Sequence, residues 1–254
     1  MSTPKARALE LSGAEWHVLC DAMAFTLRAP GTGGRPSGAA REVAHGSLVR
    51  RNILAPDSSS VARPVAALMF SLSHPRVALW AHRHQEINFR LVVSINQIVS
   101  AIAWNSGDRL FMAPTSHSHV PHDVATVLGL IHGTGGDGHE RFSIAGGLWH
   151  SILAQAPVAS QRALESLASA EGVDPLHVPA LSSIAVHSAA RTDIRIARAT
   201  AGRHWSGHEI SFIPTPEGTW SVADGRAFDR TPTRATTRAT FARMDPTELL
   251  RGLL

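Results

Sequence analysis

Apolar residues recur along this chain with two periods, and the period switches from about 3.6 to 2 once in each half. Trp16, Leu19, Cys20 and Met23 form a helical stripe, opened by Ser12 and Glu15 at capping-box spacing. Segments 40–54 and 61–73 continue as helices, the second with Val65, Leu68, Met69 and Leu72 on one face. After Pro75 the pattern alternates: Val77, Leu79 and Ala81, then Phe89, Leu91, Val93 and Ile95. QIVSAIAW (97–104) meets the turn NSGD and leads into RLFMA (109–113). Connections this short allow only an antiparallel meander, because parallel pairing needs long crossovers. Val124, Val127, Leu128 and Ile131 predict a helix that closes the half.

The second half follows the same plan. Helices are expected at 145–155, 158–171 and 175–189, the last with Asp174 as N-cap and Pro175 at the first helical position. Strands are expected at 192–200, 208–213, 219–223 and 238–243, with PTPEG (214–218) as a turn. Asp245, Pro246 and Glu248 open a last helix carrying Leu249, Leu250, Leu253 and Leu254. Short sequence echoes support a duplication. SGAEWHVL (12–19) returns as AGGLWHSI (145–152), setting Gly13, Trp16 and His17 against Gly146, Trp149 and His150. VARPVAALMFSLSHPRVAL (61–79) lies against HVPALSSIAVHSAARTDI (177–194), with Pro64 on Pro179 and Arg76 on Arg191. The loop 29–38, with four glycines and two prolines, has no counterpart, and the glycine-rich stretch 133–138 reads as the joint. The expectation is one α+β domain over 1–254, made of halves 1–141 and 142–254. Each half is helix, antiparallel meander, helix; together they form a pseudo-two-fold body whose central twisted sheet is flanked by helical bundles.

Composition narrows the chemistry. A single cysteine, Cys20, excludes an internal disulfide and a multi-cysteine zinc site, and its place in an apolar stripe favours packing over thiol catalysis. The N-terminal MSTPKARALELSG has no apolar core and no apolar run is long enough to span a bilayer, so a cytoplasmic protein without membrane insertion is expected. The net charge is only +4, and Lys5 is the sole lysine, which leaves P-loop and Schiff-base chemistry without an internal lysine. HGTGGDGHE (132–140) lacks the G-K-[ST] ending of a phosphate loop, and there is no G-x-S-x-G elbow. Asp193, Glu209 and Asp224 are scattered acids that suggest no general acid–base pair. No catalytic residue, metal ligand or cofactor is assigned.

Two patterns keep other functions open. Among fifteen histidines, His117, His119 and His122 cluster after a strand, as the ligands of a metal-dependent enzyme do, although no carboxylate but Asp123 accompanies them. His82 and His84 flank Arg83 at a strand end and rank below that cluster. Arg226, Arg230, Arg234 and Arg238 recur every four residues, a cationic stripe suited to nucleic acid if helical; Pro232 and the threonines favour a loop.

The order of elements resembles the EspG family of actinobacterial cytosolic chaperones associated with type VII (ESX) secretion. The resemblance rests on Leu11-Ser12-Gly13-Ala14-Glu15-Trp16, the helix-to-strand passage 61–83, the turn Pro214-Thr215-Pro216-Glu217-Gly218 after strand 192–200, and the closing RMDPTELLRGLL. It implies a non-enzymatic chaperone or adaptor that binds the helical tip of a secreted PE-PPE type substrate, a helical-hairpin protein, and keeps it soluble for export. Masking an apolar helical tip prevents its self-association. The partner implied is that substrate rather than nucleic acid, and a homodimer is compatible with the resemblance. The surface implied maps broadly to 177–223. Trp205, Phe212, Ile213 and Trp220 are the candidate anchors there, and Arg195, Arg198 and Arg203 are able to pair with substrate acids, since aromatics and arginines dominate interface energy; each also has a structural reading, and for Phe212 and Trp220 packing in the core is the favoured one. The short connections at 84–88 and 95–97, and Gly218-Thr219-Trp220 in place of the family's Gly-Arg, depart from the pattern.

Overall fold

The computed structural model describes residues 8–25, 35–85, 89–96, 99–130, 140–199, 205–223, 238–243 and 245–254. They form an α+β fold, antiparallel in the strand pairings whose register is given below, and the chain divides into two compact units. One comprises Met1–Trp80 and Asn88–Val127, the other Ala81–Ile87 and Leu128–Leu254.

In the first unit β1 (Leu9–Ser12) runs directly into α1 (Gly13–Ala22), followed by α2 (Gly38–Arg50) and α3 (Arg63–Ser73). The meander is β2 (Val77–Arg83, its last residues counted with the second unit), β3 (Arg90–Ile95), β4 (Ser100–Ser106) and β5 (Arg109–Thr115), and α4 (Val120–Leu128) closes it. The strands lie in the order β1-β5-β4-β3-β2. Alternation works as expected within β4. Ala101 and Ala103 join the core built by Trp16, Leu19, Leu48, Met69 and Leu72 of the three helices. Trp104, on the opposite face, stacks on its cross-strand neighbour Phe111 at 5.4 Å. Burying so many aliphatic side chains stabilises the unit by about 1.5–3 kcal/mol for each one fully removed from water.

The second unit repeats this plan. It contains β6 (Arg141–Ala145), α5 (Gly146–Gln155), α6 (Gln161–Ala170), α7 (Val178–Val186), β7 (Thr192–Ala199), β8 (Trp205–Thr215), β9 (Gly218–Ala223), β10 (Arg238–Arg243) and α8 (Pro246–Leu253). Its strand order is β7-β8-β9-β10-β6. The edge register also matches. Leu9 and Leu11 of β1 lie opposite Met112 and Leu110, while Phe142 and Ile144 of β6 lie opposite Phe241 and Ala239. Gly13 and Gly146 both begin their helices, Pro64 and Pro179 both sit in the first turn of theirs, and Trp16 and Trp149 are both buried. Most of the extra length of the first copy lies at 23–37 between α1 and α2, against 156–160 between α5 and α6.

Three local expectations change. The two edge strands β1 and β6 were not anticipated; each is short, and its Leu9/Leu11 or Phe142/Ile144 alternation merges with the following helix pattern. Asp174 and Pro175 do not start α7. Asp174 Oδ1 instead accepts from the Leu176 amide at 2.9 Å in a turn, and the helix begins at Val178 with Pro179 in its first turn. β8 starts at Trp205, further back than its alternation suggested, because Gly207 permits close approach to β7. A Cβ at Gly207 would lie 2.2 Å from the Ile196 carbonyl oxygen. The stretches 26–34, 131–139 and 224–237, which include much of the expected loop, the joint and Arg226, Arg230 and Arg234, lie outside the described residues.

Candidate functional site

β7 and β8 place alternate residues on opposite faces, and this decides what each candidate side chain can do. Thr192, Ile194 and Ile196 of β7 are buried, whereas Asp193 is half-buried and Arg195 is exposed. Across the ladder Asp193 faces Ser211 and Arg195 faces Glu209. Arg195 grips Glu209 through Nε at 3.1 Å and Nη2 at 3.4 Å, a forked pair held in register by the strands. Arg198 Nη2 donates to the Leu253 and Leu254 carbonyl oxygens at 3.1 and 3.0 Å. It therefore sits where the negative end of the α8 dipole favours a cation.

The aromatic candidates divide differently. Phe212, Ile213 and Trp220 are 0%, 0% and 2% exposed. Ile213 and Trp220 pair across β8 and β9 and pack under α5, α6 and α7, with Trp220 edge-on to Phe142 at 5.7 Å. Phe212, one residue before Ile213, points to the other face and is buried there as well. All three belong to the core, since strands covered on both faces leave no apolar residue free at their centre. Trp205 opens β8, opposite Ala199. Arg203 lies outside the described residues.

Sequence reasoning ranked His82 and His84 low, yet the fold brings them to Asp193. His84 Nε2 lies 2.5 Å from Asp193 Oδ2, and the two imidazoles meet edge-on at 4.6 Å. Ser211 Oγ donates to the other carboxylate oxygen at 2.6 Å, and Arg191 Nε lies 3.4 Å from it. Burial pushes the Asp193 pKa up, but the Ser211 hydroxyl, His84 and Arg191 outweigh it and hold the carboxyl below its ordinary value. The local signal was the H-x-H spacing on a strand; the carboxylate had no sequence signal, being 109 residues away. The trio His117, His119 and His122, ranked above them, behaves otherwise. His119 Nδ1 meets Ser116 Oγ at 3.1 Å at the start of α4, and the His122 carbonyl accepts from Thr126 Oγ1. Its donors do not converge. Cys20 is buried, and that burial, helped by Asp21, pushes its thiol up to about 12, so it is not a nucleophile at neutral pH.

An apolar groove of about 510 Å³ runs along α3 in the first unit. Met23, Ala66, Phe70 and Val99 line it, together with Arg63 and Arg76. Phe70 is 52% exposed and stacks on His74 at 4.5 Å. The residue set against it by the sequence echo, Ala185, is buried. Among the described residues no helix is long and apolar enough to cross a membrane.

The fold is similar to that of a type VII secretion chaperone. The match is to EspG5 of Mycobacterium tuberculosis, whose structure was solved in complex with the PE25-PPE41 dimer. It has a TM-score of 0.68 at 13% sequence identity and covers 97% of this chain and 94% of that chain. Likeness to EspG5 thus extends over both units and lies in the fold. No family model and no curated protein matches the sequence.

Proposed function

We propose that this protein is a cytosolic, non-enzymatic chaperone of the EspG type that binds a helical type VII (ESX) secretion substrate, of PE-PPE type, and keeps it soluble for export. The observation that carries this reading is the whole-chain fold likeness to EspG5, a chaperone solved with a PE-PPE dimer. We take the chain as one domain with halves 1–141 and 142–254 related by a pseudo-two-fold. The shared element order, strand order and edge register support that reading.

The client face in this proposal is the β7–β8 region, with Arg195, Arg198, Arg203 and Trp205 making contact. Phe212, Ile213 and Trp220 brace it as packed core of the same strands, Phe212 on one face and the other two on the opposite one. A client acid competing for Arg195 releases Glu209, so the forked pair would be exchanged rather than newly built. Rigid backing of this kind lowers the ordering cost of binding.

Co-expression with candidate PE-PPE pairs or other helical-hairpin secretion substrates, followed by affinity capture, tests the proposal. A soluble client retained in stoichiometric complex is expected. Arg195→Glu with Arg203→Glu should release it, while Phe70→Asp in the α3 groove should leave it bound. Failure to solubilise or retain any such client would sink the chaperone reading. Release by Phe70→Asp alone would move the client face to the first unit.

A further inference from the structure

We infer that His82, His84 and Asp193 form a binding site for a single divalent transition-metal ion, of which Zn²⁺ is the best fit. One ring nitrogen from each histidine and a carboxylate oxygen of Asp193 all lie within 4.8 Å of one another. Among the described residues this is the one group of His, Cys, Asp and Glu whose donors converge in this way. The fold prepares it. His82 and His84, at i and i+2 near the end of β2, carry their imidazoles on the same side, and the His84 amide donates to the Arg191 carbonyl at 3.1 Å. That bond fixes the strand end against β7 and sets Asp193 alongside.

The donor set defines the ligand class. Two imidazoles and one carboxylate suit zinc and its borderline neighbours rather than soft monovalent copper or the all-oxygen sites of calcium and magnesium. In a tetrahedral zinc site neighbouring donors are about 3.3 Å apart, given metal–ligand bonds of about 2.0–2.2 Å. Closing from 4.8 Å is a movement of the size that small side-chain rotations supply. His84 and Asp193 side chains are 28% and 19% exposed, which leaves an entry path and room for water as the fourth ligand.

The surroundings split into support and opposition. Ser211 holds Asp193 Oδ1 and so directs Oδ2, the oxygen now facing His84, toward the metal position. Arg191 opposes, because its guanidinium charge lies 3.4 Å from the same carboxylate. Binding exchanges the His84–Asp193 hydrogen bond for two metal bonds and pins the end of β2 to β7.

The test is zinc titration of the full chain, freed of metal by chelator, followed by calorimetry, with Co²⁺ absorption as the reporter of coordination. One equivalent of Zn²⁺ is expected, with visible Co²⁺ bands of a four-coordinate N/O site. His82→Ala with His84→Ala should abolish both signals, and His117→Ala with His119→Ala should leave both intact. Asp193→Asn keeps the side-chain volume and a hydrogen-bond acceptor, so it remains informative if the double alanine variant does not fold; it too should lose stoichiometric binding. Ser211→Ala should weaken binding by about 10–100-fold, the cost typical of losing an outer-shell partner. Arg191→Gln should tighten it. Absence of saturable one-equivalent binding, or binding that survives in Asp193→Asn and the His82/His84 variant, overturns the site.

Discussion

The two units share a plan but are held together at their strand-to-helix corners by different forces. In the first, Ser12 and Glu15 form a complete capping box at the start of α1. Glu15 is only 6% exposed; it accepts from the Ser12 amide at 2.7 Å, the Ser47 hydroxyl at 2.7 Å and the Arg51 guanidinium at 3.0 Å. One carboxylate thus ties α1 to α2. In the second unit the aligned residues are Ala145 and Leu148, and α5 has no side-chain cap. Aromatic packing takes over that corner. Phe142 stacks on Phe241 at 4.7 Å and on His177 at 4.6 Å, and Trp149 meets Phe241 edge-on at 5.0 Å. Two units with the same element order and edge register can therefore differ in what secures the corner, a charged hub in one and an apolar one in the other. The charged corner carries a pH dependence with it, through Glu15.

The largest break in this comparison is expected from Phe142→Ala. It removes the ring at the centre of the aromatic corner and should cost about 4 kcal/mol in urea unfolding. Glu15→Ala comes next, at about 2 kcal/mol. A buried ionic hub usually costs more when broken, but Arg51 is 37% exposed and turns to water once released. A larger loss from Glu15→Ala than from Phe142→Ala would reverse the proposed division of labour.

Glu15 also sets an acid limit. Burial pushes its pKa up, but the Ser12 amide, the Ser47 hydroxyl and Arg51 outweigh it, so the folded value lies below the unfolded one. The stabilisation it supplies is therefore complete above the unfolded carboxylate range and is lost as pH falls through the folded value. Unfolding measured from about pH 7 to 3 should show the gap between wild type and Glu15→Gln shrinking as the acid limit is approached. A gap that stays constant would show that the charge of Glu15 contributes nothing.

Smaller effects sharpen the contrast. Ser12→Ala should lose about 1 kcal/mol, and Ala145→Ser, which imports the missing cap into the second copy, should gain about 0.5–1 kcal/mol. Arg198→Ala should lose about 0.5 kcal/mol, since its guanidinium caps the carbonyl end of α8 at an exposed position. Thermal unfolding of each variant beside wild type reads these differences. A destabilising Ala145→Ser would mean that the aromatic corner already fixes the start of α5 in a geometry a cap does not fit.

The order of helices and meander strands, the α1 capping box, the matched tryptophans and the α+β class were determined by the sequence itself, because periodicity, caps and prolines act within a few residues of one another. The edge strands were harder to see, being four or five residues long and continuous with their helices. Tertiary structure alone decided which candidates stand on a surface. Phe212 and Trp220 read as anchors until packing on the two faces of the sheet buried them, and no local pattern reports how many layers cover a strand. It also decided that His82 and His84 meet Asp193 while His117, His119 and His122 stay apart. Convergence across more than a hundred residues depends on strand register, which only the assembled sheet defines.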